Sequence, residues 1–230
     1  AVVVSAAFVV LLTWAVGVPR FGAPDEPAHV YKAYGVAHGE LLGEPAEGFP
    51  GNLREFEGPA SLGAGDLTCF VGRPEIPYSC VVEGTGRLIS SAAPYPPWYY
   101  GIVGGVARLV GQGDSVRTMR AVSAALCAVA IGVAWGLARA GRRRWDAALV
   151  LVGLTPTAWF LMGAVSPNAL EIAMFAVIWV LLARLASDGE ARRSFAWLTG
   201  TVAGLVVVMR PVAVLWLVPV TLCAIVLTPP

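Results

Sequence analysis

Six apolar stretches dominate this sequence: 1–19, 96–111, 118–138, 146–165, 168–186 and 196–227. A run of about twenty apolar residues is long enough to cross the hydrocarbon of a bilayer as a helix. Backbone in lipid must satisfy its hydrogen bonds internally, which leaves helices as the natural choice for such runs. The sequence therefore predicts an all-α, polytopic helical membrane protein. Composition agrees: 57% of residues are hydrophobic and 13% charged, where soluble domains carry roughly 25% charged residues. A formal charge of +1 offers none of the basic surface that nucleic acid requires. The expected partner is the bilayer.

Charge gives the expected orientation. Arginines cluster at "ARAGRRRW" (Arg139, Arg142, Arg143, Arg144) and at "GEARRS" (Arg192, Arg193). The positive-inside rule puts both clusters in the cytoplasm. Segments 146–165 and 168–186 then form an up-and-down pair with "SPN" outside, and 118–138 descends from outside. Segment 96–111 is short, glycine-rich and opened by "PYPPWYY". It reads as an interfacial helix, because Trp98, Tyr99 and Tyr100 suit the headgroup level. Segment 1–19 is then a first span, and 20–116 a large extracytoplasmic loop before the bundle of 117–230. The sequence starts at Ala1 in an apolar run and stops at Pro230 just after another, which reads as a fragment of a longer multi-span protein. A signal-peptide core at 1–19 would need a small-residue cleavage site, and "GVPRFGAPDEP" instead leads straight into a helix.

The loop begins with "PDEPAHVYKAYGVAHGELLG". Asp25 can cap a helix, Pro27 fits its first turn, and Gly43 can end it, which predicts a helix over 25–42. The following residues are rich in glycine and proline and read as irregular. Cys69 and Cys80 lie in this polar stretch, and outside the cell they would form a disulfide closing a small loop. No CxxC or neighbouring histidine points to zinc. Cys127 and Cys223 fall in apolar runs and read as small hydrophobes. The last stretch, 196–227, is too long for one upright span, and "VVVMRPVAV" breaks it at Arg210–Pro211. Fifteen residues of helix rise about 22 Å, so Arg210 falls in the outer half of the bilayer.

The polar residues converge on the same level. Asp25, His29 and Lys32 are spaced i, i+4, i+7 and share a helix face, with Glu26 beside it. A purely structural reading has the acids complementing the helix dipole and Lys32 pairing with Asp25 or Glu26. A chemical reading has a carboxylate here acting as general base toward an acceptor hydroxyl, with His29 and Lys32 contacting the substrate. Arg117 and Arg120 stand near an outer helix start. They read either as snorkelling to lipid phosphate or as a clamp that grips a phosphate through paired hydrogen bonds. Arg210, an intramembrane arginine at a proline break, is a functional-site candidate. Its alternative is a structural pair with Glu171, which lies about one turn into the helix after "SPN"; a phosphate pocket with a nearby carboxylate would use the same contact, which makes Glu171 a substrate-binding candidate too.

These motifs carry a resemblance. "PDEPAHVYKAYGVAHGEL" after the first span, "YPPWYY" (Tyr95 to Tyr100), "SPNALEIA" (Ser166 to Ala173) and "MRP" (Met209 to Pro211) resemble a family of bacterial predicted membrane proteins, domain of unknown function 2142, over nearly the whole chain. That family is similar to the C-type glycosyltransferase superfamily (GT-C). The resemblance implies a bacterial plasma-membrane enzyme that moves a sugar from a polyprenyl-phosphate donor to a glycan or lipid acceptor on the extracytoplasmic face. It matches Asp25 or Glu26 to the catalytic carboxylate, and Arg117 and Arg210 to phosphate contacts by position. Metal-dependent members use further acidic motifs in outer loops. Asp66 and Glu75 are present but form no convincing second set, so no metal or other cofactor is expected.

Two other functions compete with the enzyme. A flippase or transporter of lipid-linked precursors would need polar groups in the inner halves of the spans, where Thr155 and Thr157 are the main ones. A non-catalytic envelope-assembly subunit would use the loop as a partner surface.

Overall fold

A computed structural model describes residues 1–49, 51, 53–63, 69, 73, 75–77, 80, 86–111, 115–141, 146–187 and 192–227. Of the described residues, 69% are helical. The elements in chain order are α1 (Val2–Gly17), α2 (Glu26–Ala37), β1 (Glu44–Pro45), β2 (Arg54–Glu57), β3 (Arg87–Ser90), α3 (Trp98–Val110), α4 (Ser115–Arg139), α5 (Asp146–Val152), α6 (Pro156–Met162), α7 (Pro167–Ser187), α8 (Arg192–Met209), a 3-10 turn (Pro211–Ala213) and α9 (Val214–Leu227). Among the described residues two helices are long and apolar enough to cross a membrane, Ser115–Arg139 and Pro167–Ala186. Helix α4 is central and packs on α1, α3 and α7, while α8 and α9 pack on α7.

Small residues set the helix spacing. The backbone of Gly132 in α4 leaves room for Val4 of α1, whose Cγ2 would lie 2.2 Å from a Cβ there. Helices α2 and α3 approach more closely still, because a Cβ on Gly104 would stand 2.0 Å from the carbonyl oxygen of Ala33. Helix α3 buries Tyr99, Tyr100, Val103, Gly104 and Ala107, a spacing that fits one face of a helix. Its opposite face leaves Ile102, Val106, Leu109 and Val110 exposed.

Three features differ from the sequence reading. First, the expected all-α chain contains a small antiparallel sheet in order β1-β2-β3, in the stretch read as irregular. Arg54 pairs with Ser90 and Glu57 with Arg87. The sheet forms because α2 offers it an apolar seat: fully buried Phe56 packs under Gly35, where a Cβ would meet its ring at 2.1 Å. Second, 146–165 is two helices, α5 and α6, rather than one. Proline has no N–H and its ring clashes with the carbonyl four residues back, and it forces the preceding residue out of the helical region. Thr155 duly sits at φ −67°, ψ 160°, and its side chain accepts a hydrogen bond from the Ala158 N–H as the cap of α6. Third, α2 ends at Ala37, not at residue 42. The chain turns through Gly39 at φ 94°, and Gly43, at φ 67°, instead leads into β1.

The long last stretch divides at Arg210. Arg210 is extended (φ −146°, ψ 98°), as the residue before Pro211 must be. Its N–H still reaches the Val206 carbonyl at 2.8 Å. A disulfide joins Cys69 and Cys80, with Cα atoms 6.2 Å apart. Asp66, Arg142, Arg143 and Arg144 lie outside the described residues.

Candidate functional site

Helix α2 carries four ionisable groups into four different environments. Asp25 occupies the N-cap position, but its side chain does not cap the helix and is exposed. Its backbone is left-handed, with φ 58°. Few non-glycine residues adopt that region, and aspartate is among those that do. The left-handed turn leaves the carboxylate pointing outside the helical hydrogen-bond pattern.

Glu26 is fully buried and locked. Oε1 accepts from Arg120 Nε at 2.7 Å and from the Val165 N–H at 3.1 Å, and Oε2 accepts from Arg120 Nη2 at 2.6 Å. Arg120 is equally committed. Nη1 donates to the carbonyls of Ala15 and Val18, at 2.8 and 2.6 Å, and Nη2 donates to Pro19 at 2.7 Å. A guanidinium has five N–H donors, and these contacts occupy all five. The pair satisfies the orphan carbonyls at the end of α1 and ties α1, α2, α4 and the turn before α7 together. Arg120 therefore has no donor left for a phosphate, and Glu26 has no oxygen free to take a proton from an acceptor.

Lys32 is also buried, and no carboxylate pairs with it among the described residues. Its Nζ donates to the carbonyls of Leu41 and Ala93, the latter at 2.7 Å, and lies 5.8 Å from the Phe56 ring centroid. Burial lowers its pKa to about 8. The expected pairing with Asp25 or Glu26 is not what the side chain does.

His29 begins a second network. Its Nδ1 is 2.9 Å from the Tyr100 hydroxyl, and its ring centroid lies 6.0 Å from those of Tyr95 and Tyr100. Burial, and secondly the Arg210 cation, push its pKa down to about 4, so the imidazole is neutral at physiological pH. The Tyr95 side chain lies near the Arg210 guanidinium. Arg210 Nη1 donates to Glu171 Oε2 at 2.5 Å, the structural pair that the sequence offered as one of its two readings. Two atoms of this pair stay unsatisfied although buried: Arg210 Nε and Glu171 Oε1. A buried polar atom without a partner is costly, and here one donor and one acceptor of the same ion pair are left over.

The structure thus joins α2 to both arginine sites, through Glu26 to Arg120 and through His29 and its tyrosines toward Arg210. Arg117 is exposed and lines a cleft with Arg120. The sequence reading missed Tyr95 and Tyr100 as members of the polar network. Both belong to "YPPWYY", a motif in which the sequence marks Tyr100, with Trp98 and Tyr99, as a headgroup anchor and gives Tyr95 no role. Among the described residues no three His, Cys, Asp or Glu side chains group as metal ligands, and Glu75 is exposed in the loop.

No curated protein and no solved structure matches the chain. The family model described as "Predicted membrane protein (DUF2142)" matches residues 8–229, and the chain belongs to that family.

Proposed function

We propose that the chain is the membrane core of a glycosyltransferase. It would take a sugar from a polyprenyl-phosphate donor and pass it to a cell-envelope acceptor on the extracytoplasmic face of the bacterial plasma membrane. In this reading the chain is multi-pass, and residues 20–116 are extracytoplasmic.

One observation carries the reading: Asp25 is an exposed carboxylate in a left-handed turn, beside a residue that four elements hold rigid. Backbone in sparsely populated regions clusters at functional sites. A general base must reach its proton and remain free to accept it. Asp25 meets both needs, whereas Glu26 is spent on Arg120. The roles divide accordingly: Asp25 is the base, and Glu26 and Arg120 are positioning residues.

The chemistry balances. Asp25 takes the proton of the acceptor hydroxyl as its oxygen attacks the anomeric carbon. The new C–O bond forms with inversion, and the bond to the phosphate oxygen breaks with its electron pair leaving on the carrier. Arg117 and Arg210 are the candidate counter-charges for that phosphate. His29 is kept neutral and, with Tyr95 and Tyr100, holds the wall of the site near Arg210.

Membranes from cells expressing the full-length protein, incubated with polyprenyl-phosphate sugars labelled in the sugar, test the reading. Transfer is expected with the parent, and a loss of about a hundredfold or more in Asp25→Asn, the scale of a missing general base. Full transfer by Asp25→Asn would refute the base assignment. Absence of transfer from every lipid-linked sugar, with unchanged envelope glycans in a deletion strain, would leave the non-catalytic assembly role as the surviving reading.

A further inference from the structure

Helices α2 and α3 run parallel and in fixed register. His29 meets Tyr100, Ala33 meets Gly104 and Ala37 meets Arg108, each pair 71 positions apart. The two helices end together, and there, with the first turns of α4, they form a cleft of about 220 Å³. Tyr34, His38, Ala107, Arg108, Ser115 and Met119 are among the residues that line it. Its volume falls below the roughly 300–1,000 Å³ of pockets for drug-sized ligands, which suits one small ring better than a larger molecule.

The side chains here offer both halves of a hydrogen bond. Arg108 donates through Nη1 to the Ala37 carbonyl at 2.5 Å, and its other N–H groups meet no partner among the described residues. His38 Nδ1 lies 2.8 Å from the Tyr34 carbonyl. A carbonyl only accepts, so Nδ1 carries the hydrogen, and Nε2 of the neutral ring is left as an acceptor. The hydroxyls of Tyr34 and Ser115 can do either, and neither has a partner among the described residues. The Tyr34 and His38 rings stack with centroids 4.1 Å apart and give the cleft a flat apolar wall. Ala107 and Met119 add aliphatic surface.

Three helix ends converge on this point. Helices α2 and α3 bring their C-termini, which carry partial negative charge, and α4 brings its N-terminus, which carries partial positive charge. Arg108 is the only permanently charged side chain among the described lining residues, and it stands against the excess of C-termini. A bare anion or cation therefore gains little here. The ligand that fits is neutral, carries hydroxyls along its edge and has an apolar face, which is the chemistry of a pyranose ring.

We propose that this cleft binds one sugar ring of a neutral oligosaccharide, its C–H face on the Tyr34–His38 stack and its hydroxyls on Arg108, His38 Nε2 and Ser115. Along α2 the cleft stands about 18 Å from Asp25. The ring held here is therefore not the one that reacts but a unit several sugars removed from it. That the oligosaccharide is the acceptor rests on the transfer reading above; that the cleft binds sugar does not.

The test applies the full chain, purified in detergent, to an array of immobilised neutral and acidic oligosaccharides, with binding as the readout. Saturable binding to at least one neutral oligosaccharide is expected. Arg108→Gln should weaken it by about tenfold or more, as loss of a charge-assisted hydrogen bond predicts. So should His38→Ala, which removes both an acceptor and half of the stack, while Tyr34→Phe keeps the stack and loses less. Should Arg108→Gln not fold without its bond to Ala37, His38→Ala, at an exposed position, decides alone. No binding to any neutral oligosaccharide would overturn the proposal, as would unchanged affinity in His38→Ala. Displacement of the bound sugar by an equal concentration of inorganic phosphate would make this an anion site and overturn it too. A parent protein that binds sugar through His38 yet transfers none refutes the transfer reading alone. One that transfers sugar, while His38→Ala binds and transfers as the parent does, refutes this site alone.

Discussion

Replacing Glu26 by glutamine removes one charge and almost no volume, so the result reports the ion pair rather than packing. Both partners are shielded from solvent, with side-chain exposures of 0% for Glu26 and 3% for Arg120. Breaking a buried pair strands its partner's charge, at a cost of about 3–5 kcal/mol. Arg120 would keep three carbonyl acceptors at the end of α1, which share its charge and favour the lower part of that range. At roughly 2–4 °C per kcal/mol for chains of this length, the midpoint of thermal unfolding falls by roughly 6–20 °C. Differential scanning fluorimetry of purified Glu26→Gln in detergent measures it, with Asp25→Asn as the comparison, since that exposed carboxylate should melt close to the parent. Glu26→Met combined with Arg120→Met should recover much of the loss, because an apolar pair strands no charge. A Glu26→Gln protein melting within about 2 °C of the parent, a shift worth no more than about 1 kcal/mol, would refute the claim that this pair fastens the four elements.

Two further outcomes follow from other contacts. Lys32 has a folded pKa near 8 against an ordinary 10.5. Between those values the unfolded chain binds the extra proton, so Lys32 makes stability rise with pH from about 8 to about 10.5; thermal melts of the parent and Lys32→Met across that window should show the rise in the parent and a flatter profile in the variant. Gly104→Val forces a side chain into the Ala33 carbonyl and should cost about 1–3 kcal/mol by overpacking, whereas Gly105→Ala, with open space at its Cβ, should melt like the parent.

Parts of this architecture were legible from residue types alone. The long apolar runs at 118–138 and 168–186 correspond to α4 and α7, because hydropathy over twenty residues is a strong signal. "PDEPAHVYK" marked the start of α2 through its prolines and acids. The sheet escaped because its strands are two to four residues long and Arg54 meets a partner as distant as Ser90. The α5–α6 break had a visible cue in Thr155–Pro156, but the apolar run continues across it and masks the interruption. Asp25 and Glu26 were indistinguishable as neighbours of like charge. What separates them is Arg120, 94 positions along the chain, and nothing local in either residue foretells that contact.

Lys32 has one more consequence. A single ammonium group grips the chain at Leu41, where it leaves α2, and again at Ala93, where it returns toward α3. The excursion between those points, with its sheet and its cystine, is closed at the neck like a bag on a drawstring. The connections between its strands can lengthen without moving the helices outside it, since the cost of lengthening a loop with fixed ends grows only slowly. The strands themselves have no such freedom, because Phe56 is fully buried against Gly35 of α2.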